Sequence, residues 1–221
     1  MNPLRALSLL ETRVLGVLVE KEKTVADTYP LSLNALTLGC NQKNNRDPVL
    51  AATEGEVLAA IDDLKAANWV IESSGARVTR YSQNIGRVLR VPEQSVTLLA
   101  ALMLRGPQTP AELRAATERL HRFADTSSVE AFLDELAQRA EGNGGPLVIL
   151  LPRRPGEREA RWAHLLSGPV QVEAGPQVTA QVPPRPDASH PLENRLAALQ
   201  AEVADLRAEV AALRARLEEA R

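Results

Sequence analysis

The sequence predicts a mainly α protein with small β-hairpins, built as two similar units in tandem and a C-terminal coiled-coil helix. Three observations lead there. Apolar residues recur at helical spacing behind capping signals in both halves. Each half then closes on two short apolar runs around a Gly-bearing turn. Finally, leucines repeat in heptads at the end of the chain.

In the first half, Ser8 and Glu11 form a capping box, and Leu10, Val14, Val17 and Leu18 define an amphipathic helix ending near Lys23. Tyr29-Pro30-Leu31-Ser32 stops and restarts the chain, with Ser32 as N-cap of a helix through Cys40. After a polar stretch, Thr53 and Glu56 open a third helix, with Val57, Ile61 and Leu64 on one face and an end by Asn68. Trp69 to Glu72, a turn over Ser73-Ser74-Gly75-Ala76, and Arg77 to Tyr81 predict a hairpin. Three helices followed by a hairpin is the order of a winged helix, a helix-turn-helix variant.

The second half repeats the plan. Val96 to Arg105 reads as a helix stopped by Gly106-Pro107, and Thr109-Pro110 as N-cap and first position of the next. Ser127 or Ser128 is expected to cap a third helix bearing Val129, Phe132, Leu133 and Leu136. Leu147 to Leu151 and Arg161 to Leu165 flank a turn at Arg154-Pro155-Gly156-Glu157. Arg80-Tyr81 occupies in the first hairpin the place of Arg161-Trp162 in the second. The predicted organisation is a winged-helix domain over residues 1–86, a second over 87–168, a Pro-rich linker over 169–190 and a coiled-coil helix over 191–221.

In that last segment Leu192, Leu199, Leu206 and Leu213 take the d positions, and Leu196, Val203, Val210 and Leu217 the a positions. Glu202 with Arg207, and Glu209 with Arg214, attract across a parallel in-register pair, so the expected partner is a second copy of the chain. The alternative is a lone amphipathic helix docked on its own domains.

The segment Tyr29 to Leu36, the segment Cys40 to Val49 and the run Leu104-Arg105-Gly106-Pro107-Gln108-Thr109 resemble the YceH-like family of bacterial proteins. The resemblance covers about residues 5–168. It implies a tandem winged-helix fold and names no activity or catalytic residue.

Charge argues against a whole-chain grip on nucleic acid, because the net charge is −2. DNA contact would have to be local. One candidate is the polar cassette Asn41, Gln42, Lys43, Asn44, Asn45 and Arg46, whose amides can bond base edges and whose cations can pair with phosphates. The competing expectation is structural, with Asn41 and Asn44 capping a helix and Arg46 pairing with Asp47. The hairpins supply further candidates in Arg77 and Arg80, and in Arg153, Arg154, Arg158 and Arg161, which an alternative reading leaves as a solvated surface. Against DNA stand the third helices, which are acidic at Glu54, Glu56, Asp62 and Asp63, and again at Glu130, Asp134 and Glu135.

Nothing in the sequence predicts catalysis, a metal or a cofactor. His121, His164 and His190 are dispersed, Cys40 has no Cys or His companion, and no phosphate loop appears. No signal peptide or membrane span is read, and the single cysteine points to the cytoplasm. The expected function is therefore a dimeric DNA-binding or regulatory protein; the alternative is a protein-interaction module, of scaffold or segregation type, that does not bind DNA.

Overall fold

The computed structural model describes residues 5–75, 78–153 and 156–170. All belong to one packed unit spanning residues 1–173, mainly α with two small antiparallel sheets. The linker and heptad positions from residue 171 onward, including Leu192 to Leu217, lie outside the described residues, as do Arg77 and Arg154.

Helix α1 (Leu9–Thr24) begins at the expected capping box: Glu11 N–H donates to Ser8 Oγ at 3.2 Å and Ser8 N–H to Glu11 Oε2 at 2.7 Å. Strand β1 (Leu31–Ser32) leads into α2 (Leu33–Cys40), capped by Ser32. Helix α3 (Glu54–Ala66) starts at the Thr53–Glu56 capping box. Strands β2 (Val70–Gly75) and β3 (Val78–Gln83) follow, in a sheet of order β1-β3-β2.

The first hairpin corrects the expected turn. Its register runs from Val70↔Gln83 to Gly75↔Val78, so Ser73, Ser74 and Gly75 belong to the ladder rather than to a four-residue turn. Only positions 76 and 77 remain between the strands. Two-residue connections are the commonest in β-hairpins.

Helix α4 (Ile85–Leu89) was not expected from the sequence, and the anticipated boundary after residue 86 falls inside it. It is too short to show a helical period, yet Ile85 and Leu89 are both buried. Helices α5 (Glu93–Arg105), α6 (Pro110–Thr117) and α7 (Thr126–Ala137) then precede β4 (Val148–Leu150) and β5 (Trp162–His164). The cap of α7 is Asp125, not Ser127 or Ser128. Its carboxylate accepts from Ser128 N–H at 2.7 Å, and Ser128 sits inside the first turn, where its hydroxyl accepts from Asp125 N–H.

The two halves share more than their order of elements. In the first, Leu31, just before α2, pairs with Tyr81 of β3. In the second, Gln108, just before α6, pairs with Trp162 of β5 through bonds of 3.0 and 2.8 Å. Arg80 Nη1 donates to Pro30 O at 2.7 Å, and Arg161 Nη1 donates to Pro107 O at 3.2 Å. The echo of Arg80-Tyr81 in Arg161-Trp162 is thus a repeated junction between hairpin and helix entry.

A continuous apolar core runs through both halves, with α1 packed along α5. Residues Glu11 to Val19 of α1 and Ser95 to Leu104 of α5 are all buried. A helix enclosed on every side is central, not peripheral. Gly16 permits the approach, since a Cβ there would lie 2.8 Å from Leu104 Cγ.

Candidate functional site

The polar cassette between α2 and α3 divides into an inward and an outward set. The Asn41 amide clamps the far side of its own loop: Nδ2–H donates to Ala52 O at 2.7 Å, and Oδ1 accepts from Ala52 N–H at 2.8 Å. Asn41 is the C-cap residue of α2, so it does cap a helix as the structural expectation had it. Arg46 is more deeply committed, with a guanidinium that has no solvent exposure. It donates to both carboxylate oxygens of Glu20 (2.5 and 3.3 Å), to Gln42 Oε1 (2.8 Å), to Gly39 O and to its own neighbour Asn45 O. The expected partner of Arg46 was Asp47; the partner found is Glu20, because α1 runs beneath the loop.

A second buried arginine lies alongside. Arg13 is wholly buried and donates to Cys40 O at 3.1 Å and Pro48 O at 2.6 Å, with Nε unpartnered. Burial and the neighbouring Arg46 cation lower its pKa, in that order. Sequence reading missed both Arg13 and Glu20. The available signal was a charge at each end of the apolar run Val14 to Val19, on a helix too apolar to float on a surface.

Outward are Lys43, Asn44 and Asn45, all exposed, with Asn45 held in the left-handed region at φ 59°. An asparagine tolerates that conformation better than most side chains. Asp47 N–H donates to Leu104 O at 2.8 Å, tying the loop to α5. Asp47 also lines a hollow of about 330 Å³ with Pro107, Leu151, Glu157 and Arg161. The structure therefore brings the end of the cassette to the base of the second hairpin.

The hairpin arginines are unequal. Arg80 is exposed but spends Nη1 on the carbonyls of Thr28 and Pro30. Arg161 ion-pairs with Glu112 at 2.6 Å and Glu157 at 3.3 Å. These bonds raise the Arg161 pKa, mainly through Glu112. Arg153 and Arg158 are exposed.

On α3 the exposed positions include Glu54, Glu56, Asp62 and Asp63; on α7 they include Glu130, Asp134 and Glu135. Lys65, the one lysine of α3, is ion-paired with Asp62 and Glu72. The exposed faces of α3 and α7 are therefore acidic.

Two side chains that could do nucleophilic or acid–base chemistry, Cys40 and His164, are withdrawn. Burial pushes the Cys40 thiol up to about 12 and holds His164 down to about 4, so both are neutral near pH 7. His121 stacks edge-on against Phe123 with ring centroids 4.7 Å apart. Among the described residues no group of three His, Cys, Asp or Glu side chains could hold a metal ion, and no helix is long and apolar enough to cross a membrane. A hollow of about 530 Å³ beside Trp69 and Leu147 has Arg5 and Glu141 as its charged lining, and Arg5 is ion-paired with Glu11.

Residues 7–157 match the family model described as "Protein of unknown function, DUF480". The chain is 66% identical over 169 residues to a UPF0502 protein of Methylibium petroleiphilum, covering 76% of this chain and 71% of that one. To a UPF0502 protein of Leptothrix cholodnii it is 63% identical over 170 residues, covering 77% and 75%. The likeness to one from Delftia acidovorans is 55% over 196 residues, covering 89% and 85%. A model spanning more than half the chain, together with relatives this similar over most of both lengths, shows that the chain belongs to the DUF480 family, that of the UPF0502 proteins.

Proposed function

We propose that this chain is a non-catalytic tandem winged-helix protein that acts by holding a protein partner. The first unit comprises residues 1–86 and the second 87–168, sharing one core. A single observation carries the choice of partner. The helices that would enter a major groove expose Glu54, Glu56, Asp62 and Asp63 in one unit and Glu130, Asp134 and Glu135 in the other. Phosphates repel such faces, and a groove-reading helix needs cations or neutral donors there. The commitment of the Asn41 amide to Ala52 and of Arg46 to Glu20 supports the same choice, since it withdraws the cassette's arginine and one of its amides from any base edge, while Gln42 is exposed with its Oε1 accepting from Arg46.

Affinity purification of the full chain from its native cells, with and without nuclease, tests this reading. The expected result is one protein retained in near-stoichiometric amount after nuclease. Retention of nucleic acid alone, or of nothing, overturns it.

A second reading, DNA contact, rests on the exposed cations Lys43, Arg153 and Arg158, with the exposed Asn44 and Asn45 following Lys43 in sequence. A DNA complex held by these groups would weaken steeply with salt, and further on changing Arg153 and Arg158 to Ala. Duplex binding indifferent to both removes it.

The heptads of residues 191–221 support a parallel homodimer. Analytical ultracentrifugation should give twice the monomer mass for the full chain and a monomer for a chain ending at Ser189. The same oligomeric state for both overturns the dimer.

A further inference from the structure

On α3, two exposed stripes run side by side at helical spacing: Glu54–Leu58–Asp62 and Gly55–Ala59–Asp63. Each has an apolar or bare centre and an acid at its C-terminal end, and Glu54 heads the first. Helix α2 lies alongside, because Asn34 Nδ2–H donates to Glu54 Oε1 at 3.0 Å and the Asn41 amide clamps Ala52. One turn beyond Asn34, between those two contacts, Leu38 stands 65% exposed. Leu58 on α3 is 37% exposed, so two large apolar side chains of this helix pair are left uncovered. A Cβ built at Gly55 meets no atom within 4 Å, so this part of the surface is open.

We infer that the α2–α3 face, centred on Leu38, Gly55 and Leu58, is the docking surface for a cationic amphipathic helix of a partner protein. Charge decides among occupants. Glu54 at one end, bonded to the neutral Asn34 amide, and Asp62 with Asp63 at the other, where Lys65 pairs with Asp62, leave net negative charge on both flanks of the apolar stripe and ask for Lys or Arg. A second copy of the same face would set acid against acid, and DNA phosphates would be repelled. The apolar centre supplies anchors for the i, i+3, i+4 side chains of a helix laid across it. This inference rests on the reading of the chain as a protein-binding module.

The probe is a displayed library of short helical peptides, selected on the full-length chain. Enriched peptides should combine apolar residues at helical spacing with net positive charge, and should bind more weakly as salt rises. Leu38→Asp and Gly55→Gln should each weaken the best peptide about tenfold or more. Gly55→Gln keeps the test meaningful if Leu38→Asp perturbs folding, because nothing packs against that position and a Gln favours helix over Gly. Charge reversal at Asp62 and Asp63 together should select acidic peptides instead. Absence of enrichment, enrichment of acidic peptides by the unaltered chain, or affinity unchanged by Gly55→Gln overturns the inference. A nuclease-resistant partner that still binds the Gly55→Gln and Leu38→Asp chains would sink this surface while leaving the protein-binding reading intact.

Discussion

Glu20→Gln is expected to lower the free energy of unfolding by about 3–5 kcal/mol, the range for removing one partner of a buried ion pair. The loss exceeds that of a surface pair because of what remains. Arg46 has no exposed guanidinium atoms, and Arg13, also wholly buried, has only carbonyl acceptors. With Glu20 neutral, two cations would share the interior with no nearby carboxylate bonded to either. A Gln can still accept one hydrogen bond from Arg46 but cannot compensate its charge. Arg46→Met is the informative comparison. It deletes the cation and fills much of its volume, and the stranded Glu20 side chain is 17% exposed and can turn to water. Urea titration should therefore give a lower midpoint for Glu20→Gln than for Arg46→Met, with similar slopes. Equal or reversed midpoints would mean that the loop is held by packing alone.

Gly39→Ala should destabilise the fold by about 1–3 kcal/mol, as overpacking of a filled core does. Helix propensity pulls the other way, since Ala in place of Gly gains up to about 1 kcal/mol within a helix. Packing wins because the new Cβ would stand 2.5 Å from Val17 Cγ1, and Val17 is itself fully buried and stiff at χ1. Thermal or urea unfolding of a double-mutant cycle makes the cause visible. In a Val17→Ala background the obstructing methyl is gone, so Gly39→Ala should become neutral or stabilising by filling the space left behind. Additive losses would show that the contact between α1 and α2 is not what excludes a side chain at Gly39.

Most of the architecture was legible because its signals are local. Ser8 with Glu11, Thr53 with Glu56 and Thr109 with Pro110 announce helix starts within four residues, and each is a cap in the structure. The hairpins were legible from short apolar runs, although Ser73 to Gly75 joined the ladder once pairing with β3 was available. Strand β1 and helix α4 were not legible. Two strand residues have no period of their own, and Leu31 becomes a strand only by pairing with Tyr81, fifty positions later.

The candidate site was legible in composition and not in direction. The cassette stood out as polar, but nothing local distinguishes Lys43, which faces water, from Arg46, which does not. Arg46 meets Glu20 across 26 positions, and Arg13 meets Pro48 across 35. Leu38 and Leu58 could be placed on helices from the sequence, whereas their exposure depends on what does or does not pack over them.

Taken alone, the sequence determined the order of helices and hairpins, the caps that start them, the acidity of the third helices and the heptads of the tail. Each depends on residues a turn or two apart, where propensity and capping act. The tertiary structure decided which polar side chains are internal, which helices are enclosed and which apolar residues are left uncovered. Those outcomes depend on desolvation, and a side chain loses its water only to whatever distant segment the fold lays against it.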